Sequence, residues 1–133
     1  MLAMTDVTGF GLARHIENVI QDIETNLNVK MGAALFLHKI PILDGASKIL
    51  ENTTIRASLS PSNKNSVRKF TDLNTKNTSL SDILFDPQTS GGIVAVVPTS
   101  TADKLVAHLQ ESIAPHTAII GSLSFDHTGI IAN

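Results

Sequence analysis

Apolar residues recur at helical spacing early in the chain. Leu12, Ile16, Val19, Ile20, Ile23 and Leu27 form one stripe, which predicts an amphipathic helix opening at Leu12. Asn26 and Asn28 punctuate its end, and residues 29–36 then read as a strand. After Pro41 the shared face of Leu43, Ala46, Ile49 and Leu50 predicts a short helix over residues 43–50. Leu80, Ile83 and Leu84 predict another short helix, stopped by Pro87 because the residue before a proline disfavours helix. The continuous apolar run at residues 93–97 reads as a strand covered on both faces, halted by Pro98. Ala102, Leu105, Val106, Leu109 and Ile113 give a second long amphipathic helix, with Ser100 and Asp103 as its capping pair and Pro115 at its end. Residues 118–123 read as a strand. The turn signal Asp126-His127-Thr128-Gly129 predicts that residues 130–132 fold back on it as a hairpin.

Between these segments lies a polar stretch, residues 53–79, of which about half are Ser, Thr or Asn, types that bond their own backbone and favour turns. It holds Arg56, Lys64, Arg68, Lys69 and Lys76, half of the ten Lys and Arg in the chain. Residues 67–70 are expected to form a helical turn inside an otherwise solvated, mobile loop. Helices thus alternate with strands, while the terminal hairpin and irregular spacing argue against a uniformly parallel sheet. The expected class is α+β, a mixed β-sheet covered by helices, in a single domain over residues 1–133.

Composition changes this picture in a few places. Apolar residues make up 42% but aromatics only 4%, with no Trp or Tyr, so the core must rest on Ile, Leu, Val and Ala. A net charge of −2 and so few aromatics leave neither a basic field nor a stacking platform for nucleic acid. No apolar run approaches the ~20 residues of a membrane span, which together with the lack of a leader-like start predicts no membrane partner and a cytoplasmic location. With no cysteine, disulfides, zinc–thiolate sites and thiol nucleophiles drop out.

Candidate chemistry gathers at two places. Thr5-Asp6-Val7-Thr8-Gly9-Phe10-Gly11 sets a carboxylate between two hydroxyls, with two glycines at the mouth of the first helix. Thr8 is placed to cap that helix, and Gly9 and Gly11 remove bulk where a ligand would approach the backbone. Asp6 is placed to hold a divalent cation whose other ligands are phosphate oxygens. A cap and a tight turn account for the same residues without any ligand. Asp86-Pro87-Gln88-Thr89-Ser90-Gly91-Gly92 leads directly into the apolar strand. Asp-Pro with Ser-Gly-Gly is a turn combination, so this stretch reads mainly as structural. Five histidines are present, His15, His38, His108, His116 and His127; none pairs at metal-ligand spacing, and His15 and His108 are expected at a helix boundary or surface.

Together the two stretches resemble the C-terminal domain of selenophosphate synthetase, the selenide, water dikinase family, which carries Thr-Asp-Val-Thr-Gly-Phe-Gly and later Asp-Pro-Gln-Thr-Ser-Gly-Gly. Both segments stand here complete and in order, and Ile40-Pro41-Ile42-Leu43 and Ile120-Gly121 also fall where the family has similar residues. The resemblance implies the C-terminal fold shared with aminoimidazole ribonucleotide synthetase. It implies a kinase-type enzyme of selenium metabolism, serving selenocysteine biosynthesis, that turns selenide, ATP and water into selenophosphate, AMP and orthophosphate. It implies Asp6 as a Mg²⁺ ligand shared with aspartates of an N-terminal domain, and Thr5, Thr8 and Gly9 on the phosphate side of ATP. No catalytic residue is implied here, because the family's nucleophile, its nearby lysine and its other metal ligands belong to the N-terminal domain. The chain alone is therefore expected to be inactive. Met1 reads as a truncation at a domain boundary, and the family dimerises chiefly through the other domain, which leaves homodimer formation open. In residues 57–63 the chain departs from the family's Gly-Gly-Thr form, so no substrate contact is assigned there. The alternatives are another enzyme of the same superfamily, whose motifs differ at both sites, and a free-standing, non-catalytic binding or regulatory module derived from this domain.

Overall fold

A computed structural model describes residues 2–72 and 78–133. In chain order it contains β1 (Ala3–Asp6), α1 (Leu12–Leu27), β2 (Gly32–Leu35), α2 (Ala46–Asn52), α3 (Ser60–Ser66), β3 (Phe70–Asp72), α4 (Thr78–Ser81), β4 (Ile93–Val96), α5 (Thr99–Ser112), β5 (Gly121–Ser124) and β6 (Gly129–Ala132). Short 3₁₀ turns follow β2 at Leu37–Lys39 and α4 at Asp82–Phe85. The strands form a two-stranded antiparallel ladder, β1·β4, and a four-stranded mixed sheet in the order β3-β6-β2-β5. This is the expected α+β class with a mixed sheet.

The first stripe forms α1 over the anticipated residues and supplies most of the core. Ala13, Ile16, Val19, Ile20 and Ile23 are buried with Ala33 and Leu35 of β2 and Ile130 and Ala132 of β6. Each buried Ile contributes roughly 2 kcal/mol by leaving water. Only Leu27, the last residue of the helix, escapes and is exposed. Asn28 ends the helix in the left-handed conformation, φ 53°, its N–H on the Glu24 carbonyl. The Glu24 carboxylate in turn accepts the Met31 N–H at 3.0 Å, which holds its pKa below the usual carboxylate range. With so few aromatics, one ring pair stands out: Phe70 and Phe85 meet edge to face with centroids 4.9 Å apart.

Several expectations are corrected. The terminal hairpin does not form: β5 runs antiparallel to β2, β6 runs parallel to β2, and β2 lies between them. Residues 125–128 therefore cross the end of β2 rather than turning tightly. They can do so because Gly32 has no side chain: a Cβ there would stand 2.5 Å from the His127 ring and 2.7 Å from the Gly129 carbonyl oxygen. Nor is β4 covered on both faces. Among the described residues it pairs only with β1; Val94 and Val96 pack on the core with Ala3 while Ile93 and Met4 face outward, 70% and 57% exposed. In α5 the apolar stripe is only half covered and Ile113 is exposed. No side chain caps this helix, because the Pro98 carbonyl takes both the N–H and the hydroxyl of Thr101, which starts the helix ahead of Ser100. Leu43 ahead of α2 and Ile49 within it lie exposed, and the helix buries Leu50 alone.

The polar segment differs most. It carries α3, with Pro61 in the first turn where a missing N–H costs nothing, and β3 at the sheet edge. Residues 67–70 are not a helical turn: Val67 is extended and Phe70 opens β3. Long-range polar contacts supply the order that apolar periodicity lacks. The Arg56 guanidinium donates to Asp82 at 2.7 Å and to the Leu50 carbonyl at 3.0 Å. Glu17 of α1 accepts the Arg68 N–H at 2.8 Å, and Arg14 reaches the Ser66 carbonyl at 3.0 Å. Residues 73–77, Lys76 among them, lie outside the described residues. Among the described residues no helix is long and apolar enough to cross a membrane.

The Gly32 crossing gives a direct expectation. Gly32→Ala forces the His127 connection off β2 and lowers unfolding stability by about 1–3 kcal/mol, read by denaturant or thermal unfolding; an unchanged midpoint would contradict the crossing.

Candidate functional site

The two motifs meet. In the β1·β4 ladder Thr5 stands opposite Val94 and Asp6 opposite Ile93. The pairing continues past the ladder, with the Val7 N–H on the Gly92 carbonyl at 2.9 Å and the Gln88 N–H on the Thr8 carbonyl at 3.2 Å. Residues 5–8 and 88–93 therefore run side by side although some 80 positions separate them in sequence. Gly91 makes the approach possible, since a Cβ there would fall 2.2 Å from the Val7 carbonyl oxygen. The structural role expected for the second motif is thus what its backbone performs. Gln88 turns its amide onto Asp86, 3.0 Å from the carboxylate.

Asp6 ends β1 with its side chain exposed. No hydrogen bond or ion pair engages its carboxylate among the described residues. The Thr5 hydroxyl donates at 3.0 Å to the Asp6 backbone carbonyl instead. A free, solvated carboxylate suits a hard divalent cation, but one carboxylate does not fill a nearly octahedral oxygen shell. Among the described residues no three His, Cys, Asp or Glu converge on one point. A surface depression of about 590 Å³ opens at the opposite end of α1, lined by Gln21, Glu24, Asn28, Lys30 and Arg68 among others, and includes neither motif.

Thr8 does not cap α1. The helix opens at Gly11, φ 79°, with no side-chain cap, and the Thr8 N–H and hydroxyl both lie on Nε2 of His15, at 3.0 and 2.9 Å. A backbone N–H can only donate, so Nε2 is the acceptor and the ring proton sits on Nδ1. His15 is buried rather than at the surface. Its spacing carried the signal: Leu12, His15 and Val19 fall at i, i+3 and i+7, on the inward face. Around Gly11 the space is filled by the backbone of Leu84 and Phe85, whereas a Cβ on Gly9 would meet nothing within 4 Å. Of the two glycines expected to face a ligand, Gly9 is open and Gly11 is packed.

Asn63 of α3, expected from the sequence in a solvated loop, is buried against this site. Its side-chain amide donates at 2.9 Å to the carbonyl of Gly9 and at 2.9 Å to that of Phe85. No periodicity marks such a residue, because its partners are distant backbone groups.

No family model matches the chain. It is similar to proteins named selenide, water dikinase. The one from Clostridioides difficile (strain 630) is 30% identical over 122 residues, covering 91% of this chain and 33% of that protein. Those from Clostridium botulinum (strain Eklund 17B / Type B) and Shewanella sp. (strain ANA-3) are 32% and 37% identical, covering 90% and 91% of this chain and 32% of each relative. The chain thus spans about a third of the length of the curated relatives it matches.

The close contact between the motifs separates two neighbouring glycines. Gly91→Ala must drive the Val7 carbonyl away and costs about 2–4 kcal/mol, while Gly92→Ala, with nothing within 4 Å, stays within about 0.5 kcal/mol. Equal unfolding midpoints for the two variants would contradict the shared backbone of the motifs.

Proposed function

From the kinship of this chain with the selenide, water dikinases over about a third of their length, we propose that it acts as the C-terminal domain of a selenophosphate synthetase. The overall reaction consumes selenide, ATP and water and yields selenophosphate, AMP and orthophosphate. The observation that carries the reading is the free, exposed Asp6 carboxylate at the junction of the two motifs.

In this reading Asp6 binds Mg²⁺ together with carboxylates of a partner domain. The bound ion neutralises polyphosphate charge, which phosphoryl transfer requires more than it requires covalent help from protein groups. The ladder to Ile93 holds Asp6 on a strand rather than on a free loop, so its carboxylate is presented from a rigid edge. Thr5 and Thr8 line the phosphate side with their hydroxyls already engaged, on the Asp6 carbonyl and on His15. The open backbone at Gly9 is then the part of the motif left to approach a phosphate. No side chain here attacks or carries the transferred group, and with no cysteine the thiol chemistry belongs to the partner domain. The ATP cleft has one wall in this chain and the other in that domain.

The assay follows directly. Incubated alone with ATP, selenide and Mg²⁺, the chain forms no AMP above the blank. Addition of the separately produced remainder of a selenide, water dikinase gives selenide-dependent AMP, and Asp6→Asn lowers that rate about a hundredfold, the effect of losing a few kcal/mol of charge stabilisation. Turnover by the chain alone, or an undiminished rate in Asp6→Asn, would refute the assignment.

A further inference from the structure

Asn63 sits between the two motifs without belonging to either. It is 6% exposed, and its two donated bonds end on carbonyls from different sides of the site. The Gly9 carbonyl lies in the first motif, and the Phe85 carbonyl directly precedes Asp86 of the second. A planar amide carries two divergent protons on one nitrogen and can hold two acceptors at once, which neither a carboxylate nor a hydroxyl can do. We propose that Asn63 is a positioning residue: its buried amide fixes the Gly9 turn, and with it the Asp6 segment, against the Asp86 motif.

The two bonds differ in what they do. Phe85 is 1% exposed, so without Asn63 its carbonyl would be stranded away from water, a penalty that falls on stability. Gly9 is exposed, so water would take the place of Asn63 and the loss would fall on position instead. Elsewhere the turn is held at its ends. Thr8 is tied to His15 and Gln88, and Gly11 is tied to Thr8 through its N–H and to the His15 N–H through its carbonyl, at 3.4 Å. Among the described residues the middle of the turn rests on Asn63, and the neighbouring Phe10 is 63% exposed. This inference rests on Asp6 being a metal ligand and adds the side chain that keeps its segment in place.

Hydrogen exchange tests it on the chain itself. The reporters are the amides of Thr8, Gly11 and Gln88, and the reference amides are those of the β2·β6 ladder. In Asn63→Ala and in the space-filling Asn63→Leu, the reporters should exchange about tenfold or more faster while the reference amides keep their rates. Reporter and reference amides rising together, or neither rising, overturns the proposal. Should both variants fail to fold, the side-chain amide protons of Asn63 in the unsubstituted chain decide. Exchange about tenfold slower than at exposed Asn133 upholds the anchor, and equal rates overturn it. In the reconstituted AMP assay, held below the variant's unfolding temperature, Asn63→Ala should raise the Mg²⁺ concentration for half-maximal rate about threefold or more, with the rate recovered at saturating Mg²⁺. An altered Mg²⁺ requirement in Asp6→Asn with none in Asn63→Ala overturns this inference alone. No change in Asp6→Asn, with loosened reporters in Asn63→Ala, removes the metal reading and leaves Asn63 as an anchor of the turn.

Discussion

One antiparallel pairing organises everything near the site: β1 against β4, carried one bond further by Val7 and Gly92. Backbone hydrogen bonds of this kind are individually modest, about 1 kcal/mol each, but they fix register, and a slip by one residue would turn every side chain to the other face. In the observed register Ala3, Thr5, Val94 and Val96 turn inward, and Met4, Asp6, Ile93 and Ala95 turn outward. Asp6 is therefore exposed for the same reason that Val94 is covered. The outward direction of the carboxylate follows from packing of the opposite strand face.

Two buried polar side chains refine that frame from the side. His15 comes from the helix that follows the first motif, and Asn63 from a helix some 50 residues further on. Both bind backbone groups of residues 8–9, so the motif turn is held by donors and acceptors that lie outside it. Buried polar groups carry a desolvation cost that only a complete set of partners offsets, which makes such contacts sensitive to geometry. Strand register places Asp6, and these two residues hold the turn beyond it.

Much of this was legible in the residues. The stripe of α1 and its Asn28 terminus, the strand after the Gly91-Gly92 pair, and the mixed α+β class follow from periodicity and turn chemistry. What escaped has a common cause. Periodicity records which face of an element is buried, not what lies opposite it, so the apolar run of β4 suggests cover on both faces although Ile93 is exposed. Likewise Gly129 and its preceding turn signal gave a change of direction but not the crossing over Gly32 that separates β5 from β6. The segment around Asn63 looked solvated because its order comes from single polar bonds to remote carbonyls, and neither composition nor spacing records those. In the first motif the chemistry-bearing types are visible, but the Thr8 hydroxyl, expected to accept from the helix N–H groups, lies instead on His15 Nε2.

The central claim is that Asp6 offers half of a cation site completed by another domain. Its most direct test is the anomalous scattering of Mn²⁺ in crystals of this chain assembled with the complementary part of a selenide, water dikinase. A Mn²⁺ peak is expected with an Asp6 carboxylate oxygen about 2–2.3 Å away and further carboxylates from the partner domain around it. Mn²⁺ held wholly by the partner domain, with Asp6 turned toward solvent, would contradict it.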